Sequence, residues 1–205
     1  MGGTPPGVRM LLIASVVVFC LQEFAGRTVV GEILKIFELY PVFVVKRFFV
    51  WEVVTYLFLH GGVSHILFNM LALWMFGTEL ERIWGARYFL RFYFVTGIGA
   101  GVLTTLFSLL PVGFAAQVYL TSIVGASGAI FGLLLAYAMY FPDRELYLYM
   151  LFPVKTKYAV MIFGAIELFL TVRGSNGVAN STHLAGLLVA WLFLKGGGRT
   201  SPWAE

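Results

Sequence analysis

Ser127 sits in the stretch Gly125-Ala126-Ser127-Gly128-Ala129-Ile130-Phe131-Gly132, a hydroxyl framed by glycines inside a run, Phe92 to Pro142, that contains no Asp, Glu, Lys or Arg. In hydrolases a nucleophilic serine often occupies a glycine-flanked turn, where the backbone is tight and its amides are free to face an oxyanion. A serine nucleophile needs a base, and the chain offers three histidines, His60, His65 and His183. His183 opens the sequence His183-Leu184-Ala185-Gly186 in the last apolar segment. His65 belongs to His60-Gly61-Gly62-Val63-Ser64-His65-Ile66-Leu67-Phe68-Asn69, and its four-residue spacing from Asn69 puts both on one helix face. A hydroxyl, an imidazole and nearby amide donors are the parts of an acyl-transfer site.

The elements that must hold these groups are apolar. The chain of 205 residues is 60% hydrophobic and only 12% charged, whereas about a quarter of the residues in a soluble domain are charged. About 20 apolar residues span the hydrocarbon of a bilayer, so the sequence reads as a polytopic membrane protein. Six crossings are expected: Met10 to Phe24, Ser64 to Gly77, Phe92 to Leu110, Ile123 to Phe141, Pro153 to Val172, and Gly174 to Leu194. Pro111-Val112-Gly113 and Pro142-Asp143-Arg144-Glu145 read as turns, and Glu79 to Arg91 as a charged loop. Between Arg27 and Glu52 charges alternate with large apolar residues, the pattern of a segment lying in the interface. The predicted fold is an all-α membrane bundle of six transmembrane helices with a long, partly interfacial first loop. Residues 1–9 form a short cytoplasmic N-terminus, 10–195 the membrane domain, and 196–205 a cytoplasmic tail.

With six crossings, nine of the 14 Lys and Arg residues fall on the side of the termini and five on the other, which predicts cytoplasmic termini. The net charge is +4, but the basic residues are scattered and form no patch for nucleic acid. The single cysteine, Cys20, excludes an intrachain disulfide and a cysteine metal cluster. No His-Glu-x-x-His is present, and no metal or other cofactor is implied.

This topology makes crossings two, four and six parallel. At helical rise, His65 stands about 21 Å above Glu79, Ser127 about 24 Å above Asp143, and His183 about 18 Å above Lys195. Three polar groups at one depth in hydrocarbon mark a functional site by default. Gly128, Gly132 and Gly186 lie on small-residue stripes that let helix backbones approach closely, which brings Ser127 and His183 within reach. The only aspartate, Asp143, belongs to the opposite membrane face. An aspartate triad is therefore excluded, and packing, with Phe131 as the expected partner, is left to fix the His183 tautomer.

These motifs together resemble the rhomboid intramembrane serine proteases; Glu81-Arg82-Ile83-Trp84-Gly85 also looks familial. The resemblance implies Ser127 as nucleophile, His183 as general base, and Asn69, His65 and the Ser127 amide as oxyanion stabilisers. Gly125, Gly128, Phe131, Gly132 and Gly186 would shape the site. It implies transmembrane protein substrates, a site toward the outer face of the plasma membrane, and a side entrance between crossings two and five. Two residues depart from the family pattern: Glu52 after Trp51, where arginine is common, and Ala190 in place of a second glycine. Other readings stand beside this one. Ser127 could be helix glue, hydrogen-bonded to its own backbone. His65 and Asn69 could be an interhelical polar pair. Glu167 inside crossing five could be a transporter's proton relay, or could reach the interface or a polar neighbour. A catalytically dead relative would bind membrane helices without cutting them.

Overall fold

The computed structural model describes residues 3–26, 28–148, 152–173 and 177–196; most of the expected tail and the loop at 174–176 lie outside these. The chain order is α1 (Pro6–Ala25), α2 (Val29–Leu34), α3 (Pro41–Arg47), α4 (Glu52–Thr55), α5 (Val63–Ala72), α6 (Thr78–Trp84), α7 (Ala86–Phe107), α8 (Gly113–Tyr119), α9 (Ser127–Tyr140), β1 (Glu145–Leu148), β2 (Phe152–Lys155), α10 (Thr156–Arg173) and α11 (Gly177–Lys195). Among the described residues, three helical stretches are long and apolar enough to cross a membrane: Pro6–Ala25, Val63–Trp84 and Ala86–Phe107. Large apolar side chains such as Phe24, Phe68, Met161 and Phe169 are exposed on the outside, as they are where the surrounding solvent is lipid.

α1 starts at Pro6, earlier than the expected Met10, because proline suits the first helical position and its neighbours' N–H groups find an acceptor. That acceptor is Glu81: its two carboxylate oxygens take the N–H of Gly7 at 2.8 Å and of Val8 at 2.7 Å. Glu81 is buried, and it belongs to a helix instead of the expected charged loop. A π-turn over Leu73–Gly77 joins α5 to α6 without a break, and Gly85, at φ 76°, ends the rod and lets α7 begin at once.

The fourth expected crossing is shorter than read. Residues 123–126 stay out of the helix: Ile123 exchanges both backbone hydrogen bonds with Leu39, at 3.0 and 2.9 Å, and Gly125 takes φ 114° while its N–H donates to the Tyr56 carbonyl at 2.9 Å. The helix therefore starts at Ser127. The preceding turn is also longer than expected, since it contains α8. Pro142 to Lys155 adds a second departure from an all-α chain. β1 and β2 pair antiparallel from Glu145↔Lys155 to Leu148↔Phe152, which takes Pro153 out of the fifth helix.

α9 stands between α7 and α11. A Cβ on Gly128 would lie 2.9 Å from Ala100 Cβ of α7 and 3.2 Å from Thr182 Cγ2 of α11, and one on Gly132 would press Thr96 and lie 3.1 Å from Ala190 Cβ. Ala190 is fully buried there, so alanine still permits a close α9–α11 approach. Gly186 is tighter: any Cβ would collide with the Gly128 carbonyl. Below this contact Trp84, Tyr88, Phe92, Tyr140 and Phe193 form an aromatic cluster whose pairs are edge-to-face except the tilted Trp84–Phe92 pair.

Candidate active site

Ser127 is the first residue of α9, so its own N–H has no acceptor within the helix. His183, in the second turn of α11, reaches it: Nε2 lies 2.8 Å from Ser127 Oγ. The imidazole lies flat on Phe131, with centroids 4.2 Å apart and planes 9° from parallel. Phe131 is one helical turn after Ser127, so α9 supplies both the hydroxyl and the surface that fixes the ring.

Ser127, His183, His65, Asn69, Phe68, Gln117 and Ser122 line a cavity of about 840 Å³, within the usual range for a small-molecule or peptide site. His65 faces it with a defined tautomer. The Gly61 N–H donates to Nδ1 at 3.2 Å, so Nδ1 holds the lone pair and Nε2 carries the proton. The Gly125 backbone lies against that Nε2, where a Cβ would come within 2.7 Å. Asn69 Nδ2 donates one N–H to the His65 carbonyl at 2.8 Å, and the amide group has a second to give. His60 stacks edge-on to His65 at 5.3 Å; burial, then the neighbouring His65, lower its pKa to about 4. It is a neutral support for His65.

A carboxylate other than that of Asp143 stands beside this pair. Glu167 of α10 lies with Oε1 3.0 Å from His183 Nδ1, so packing on Phe131 is not the sole restraint on that ring. A signal was present in the sequence: Glu167 comes six residues before Arg173, the end of α10, and His183 six after Gly177, the start of α11. In an antiparallel pair those positions share one depth.

Glu52 lies away from this cavity. Its Oε2 accepts the Tyr40 N–H at 2.9 Å, which ties the start of α3 to α4 and gives the departure at this position a role in the first loop. Trp51 Nε1 donates to the Ile36 carbonyl at 2.9 Å and Thr55 Oγ1 to that of Phe37 at 2.7 Å, closing the same loop.

The helical scaffold holds a part-buried Ser–His pair among close-packed small residues, and comparison with known proteins gives the chain a family. The Rhomboid domain matches residues 47–198, and the chain belongs to the rhomboid family. It is a membrane protein by that family and by its apolar helices. It is similar to Rhomboid protease GluP of Bacillus subtilis, 31% identical over 188 residues that cover 91% of this chain and 34% of the relative. It is similar also to Rhomboid protease AarA of Providencia stuartii, 29% identical over 151 residues, covering 69% of this chain and 54% of the relative. Rhomboid protein 1, mitochondrial, of Saccharomyces cerevisiae is 38% identical over 97 residues, 47% of this chain and 27% of that protein. The chain thus spans roughly a quarter to a half of the length of these relatives.

Proposed function

We propose that this chain is an intramembrane serine endopeptidase that hydrolyses peptide bonds in or next to the transmembrane segments of other membrane proteins. The observation that carries the reading is the 2.8 Å contact between Ser127 Oγ and His183 Nε2 in a cavity large enough for an extended peptide. Ser127 Oγ attacks the scissile carbonyl while Nε2 takes its proton, and the carbonyl electron pair moves onto oxygen. The Ser127 N–H, the second Asn69 N–H and His65 Nε2–H are the donors for that oxyanion. As the intermediate collapses, Nε2–H protonates the departing amine. Water then attacks the acyl-enzyme by the same proton path and regenerates Ser127.

In this reading α1, the α5–α6 rod, α7, α9, α10 and α11 are six crossings. The termini are cytoplasmic by the Lys/Arg excess, and the site opens toward the outer face of the plasma membrane. α8 and the first-loop helices form its rim. The partners are transmembrane substrates and lipid; no cofactor takes part.

The test is to incubate the purified chain with a panel of single-crossing substrates and, separately, with a fluorophosphonate. Cleavage and covalent labelling of Ser127 are expected. Both vanish in Ser127→Ala and fall to background in His183→Ala, and the double variant cleaves no worse than either, since residues acting as one unit are strongly non-additive. A transporter or an inactive relative gives no label at Ser127. Turnover retained by Ser127→Ala would sink the assignment.

A further inference from the structure

We propose that Glu167 is a positioning residue of the site, a carboxylate from α10 that holds His183 as the Nδ1–H tautomer and stabilises the imidazolium formed during attack. The inference rests on the endopeptidase reading and extends it from a Ser–His pair to a Ser–His–Glu set.

Four observations carry it. Glu167 Oε1 is 3.0 Å from His183 Nδ1, and both side chains are nearly buried, at 13% and 14% exposure. Apart from the His183 Nε2–Ser127 Oγ contact, these two side chains make no other ion pair or hydrogen bond among the described residues: Nδ1, beyond its approach to Glu167 Oε1, and Glu167 Oε2 are buried without a partner. The neighbours of Glu167 on α10, namely Ile166, Leu168 and Phe169, are apolar and exposed, while Glu167 is turned inward. Finally, the nitrogen bonded to Ser127 must be the acceptor for the hydroxyl proton to move to it. The proton of the neutral ring is then on Nδ1, toward the carboxylate.

A carboxylate inside an apolar helix is costly unless it pairs, and one beside the Nδ1–H of a base has a defined use. When the Ser127 proton arrives at Nε2 as the Oγ–C bond forms, the ring becomes a cation with N–H groups on both nitrogens. Glu167 remains ionised and faces that charge; it does not take the Nδ1 proton. When Nε2–H is given to the leaving amine as the C–N bond breaks, the ring returns to the same neutral tautomer. The contact as it stands is close but not collinear, as hydrogen bonds in substrate-free sites often are before they tighten around the reacting group.

Full-length wild type, Glu167→Gln and Glu167→Leu are compared in one detergent with one fluorogenic transmembrane substrate, following kcat and KM separately together with the rate of fluorophosphonate labelling. Glutamine keeps an acceptor and loses the charge; leucine loses both and suits an apolar helix. Expected is a graded fall in kcat, about 10-fold or more for glutamine and further for leucine. KM should stay within about twofold, with labelling slowed in parallel, as for loss of an interaction made in the transition state. A glutamate that merely fills space between α10 and α11 would give a folded leucine variant with wild-type kcat, and that result overturns the proposal. Should both variants fail to fold, nitrogen NMR of histidine-labelled wild type decides: His183 protonated on Nδ1 in the resting state upholds it, and His183 protonated on Nε2 overturns it. A wild type that cleaves nothing and takes no label at Ser127 overturns the endopeptidase reading and this inference with it. A wild type that does both, beside an unimpaired leucine variant, removes Glu167 alone.

Discussion

Asn69 spends one amide N–H on its own helix, at the His65 carbonyl, and keeps the other for the cavity. If that second donor meets the oxyanion, Asn69→Ala lowers kcat by roughly 10²-fold with little change in KM, and stopped assays at saturating substrate will read it. A variant that loses stability but keeps its turnover number would mark Asn69 as helix glue. Glu52 tests a different kind of burial. It is fully buried, with Oε1 unpartnered; burial pushes its pKa up to about 7, more than the Tyr40 N–H pulls it down. A carboxylate raised from the ordinary 4.5 costs nothing while protonated, and its penalty grows as pH climbs from about 4.5 to about 7. Glu52→Gln should therefore be neutral near pH 4.5 and stabilising near pH 8, by up to about 3 kcal/mol, in thermal unfolding in a single detergent. Equal gains at both pH values would show that the charge is not the cause. The groups of the proposed Ser–His pair were legible in the sequence because their types are chemically specific and helical rise puts them at one depth. Glu167 was not, because an acid inside an apolar segment fits a proton relay or an interfacial group equally well, and only the pairing of α10 with α11 sets it against His183.

Helices hold these residues by contacts that leave no room for a methyl group. Gly186 is three residues past His183 and its backbone lies on the carbonyl of Gly128, next to Ser127. Gly186→Ala should push α11 off α9, destabilise the chain by about 1–3 kcal/mol or more, and reduce turnover far beyond that. Gly164 in α10 is the control: a Cβ there would lie 3.5 Å from Leu187 Cδ1, an ordinary contact. Gly164→Ala should be neutral or stabilising by about 1 kcal/mol. Detergent melting curves and kcat for the two variants check the pair, and equal effects would refute this account of close packing. The apolar cores of the helices were legible from hydropathy. Their ends were not, since the partners that set them are remote: Glu81 stays helical while it receives the N–H of Gly7, 74 residues earlier. Likewise the start of α9 is delayed because Ile123 is paired with Leu39. The charges of Glu79 to Arg82 suggested a loop only because the buried acceptor role of one of them is invisible locally.

For the whole molecule, on the endopeptidase reading, the governing problem is the substrate's backbone. A transmembrane helix satisfies every carbonyl internally, because lipid offers no other partner, so a few residues must leave the helix before Ser127 can reach one. Glycine and proline lower that cost by roughly 1 and 3 kcal/mol relative to alanine. Substrates with Gly or Pro near the outer end of their crossing and a small residue at the cut should be cleaved preferentially, and replacing the helix breakers with leucine should suppress cleavage. Rates for a matched Gly/Pro-to-Leu series, in detergent and again in bilayers, test this; equal or faster cleavage of the leucine helices in bilayers would show that unwinding is not the selection step. The spacing of the site along the chain bears on another moment in the protein's life, its synthesis. Ser127 and His183 lie 56 residues apart, and at roughly 5–20 residues per second the ribosome needs about 3–11 s to pass from one to the other. Through that interval the proposed nucleophile is already made while its proposed base does not yet exist. On the endopeptidase reading, the nascent chain's own helices, and every helix beside it at the insertion machinery, therefore pass an inert serine, and cutting becomes possible only once α11 has been added.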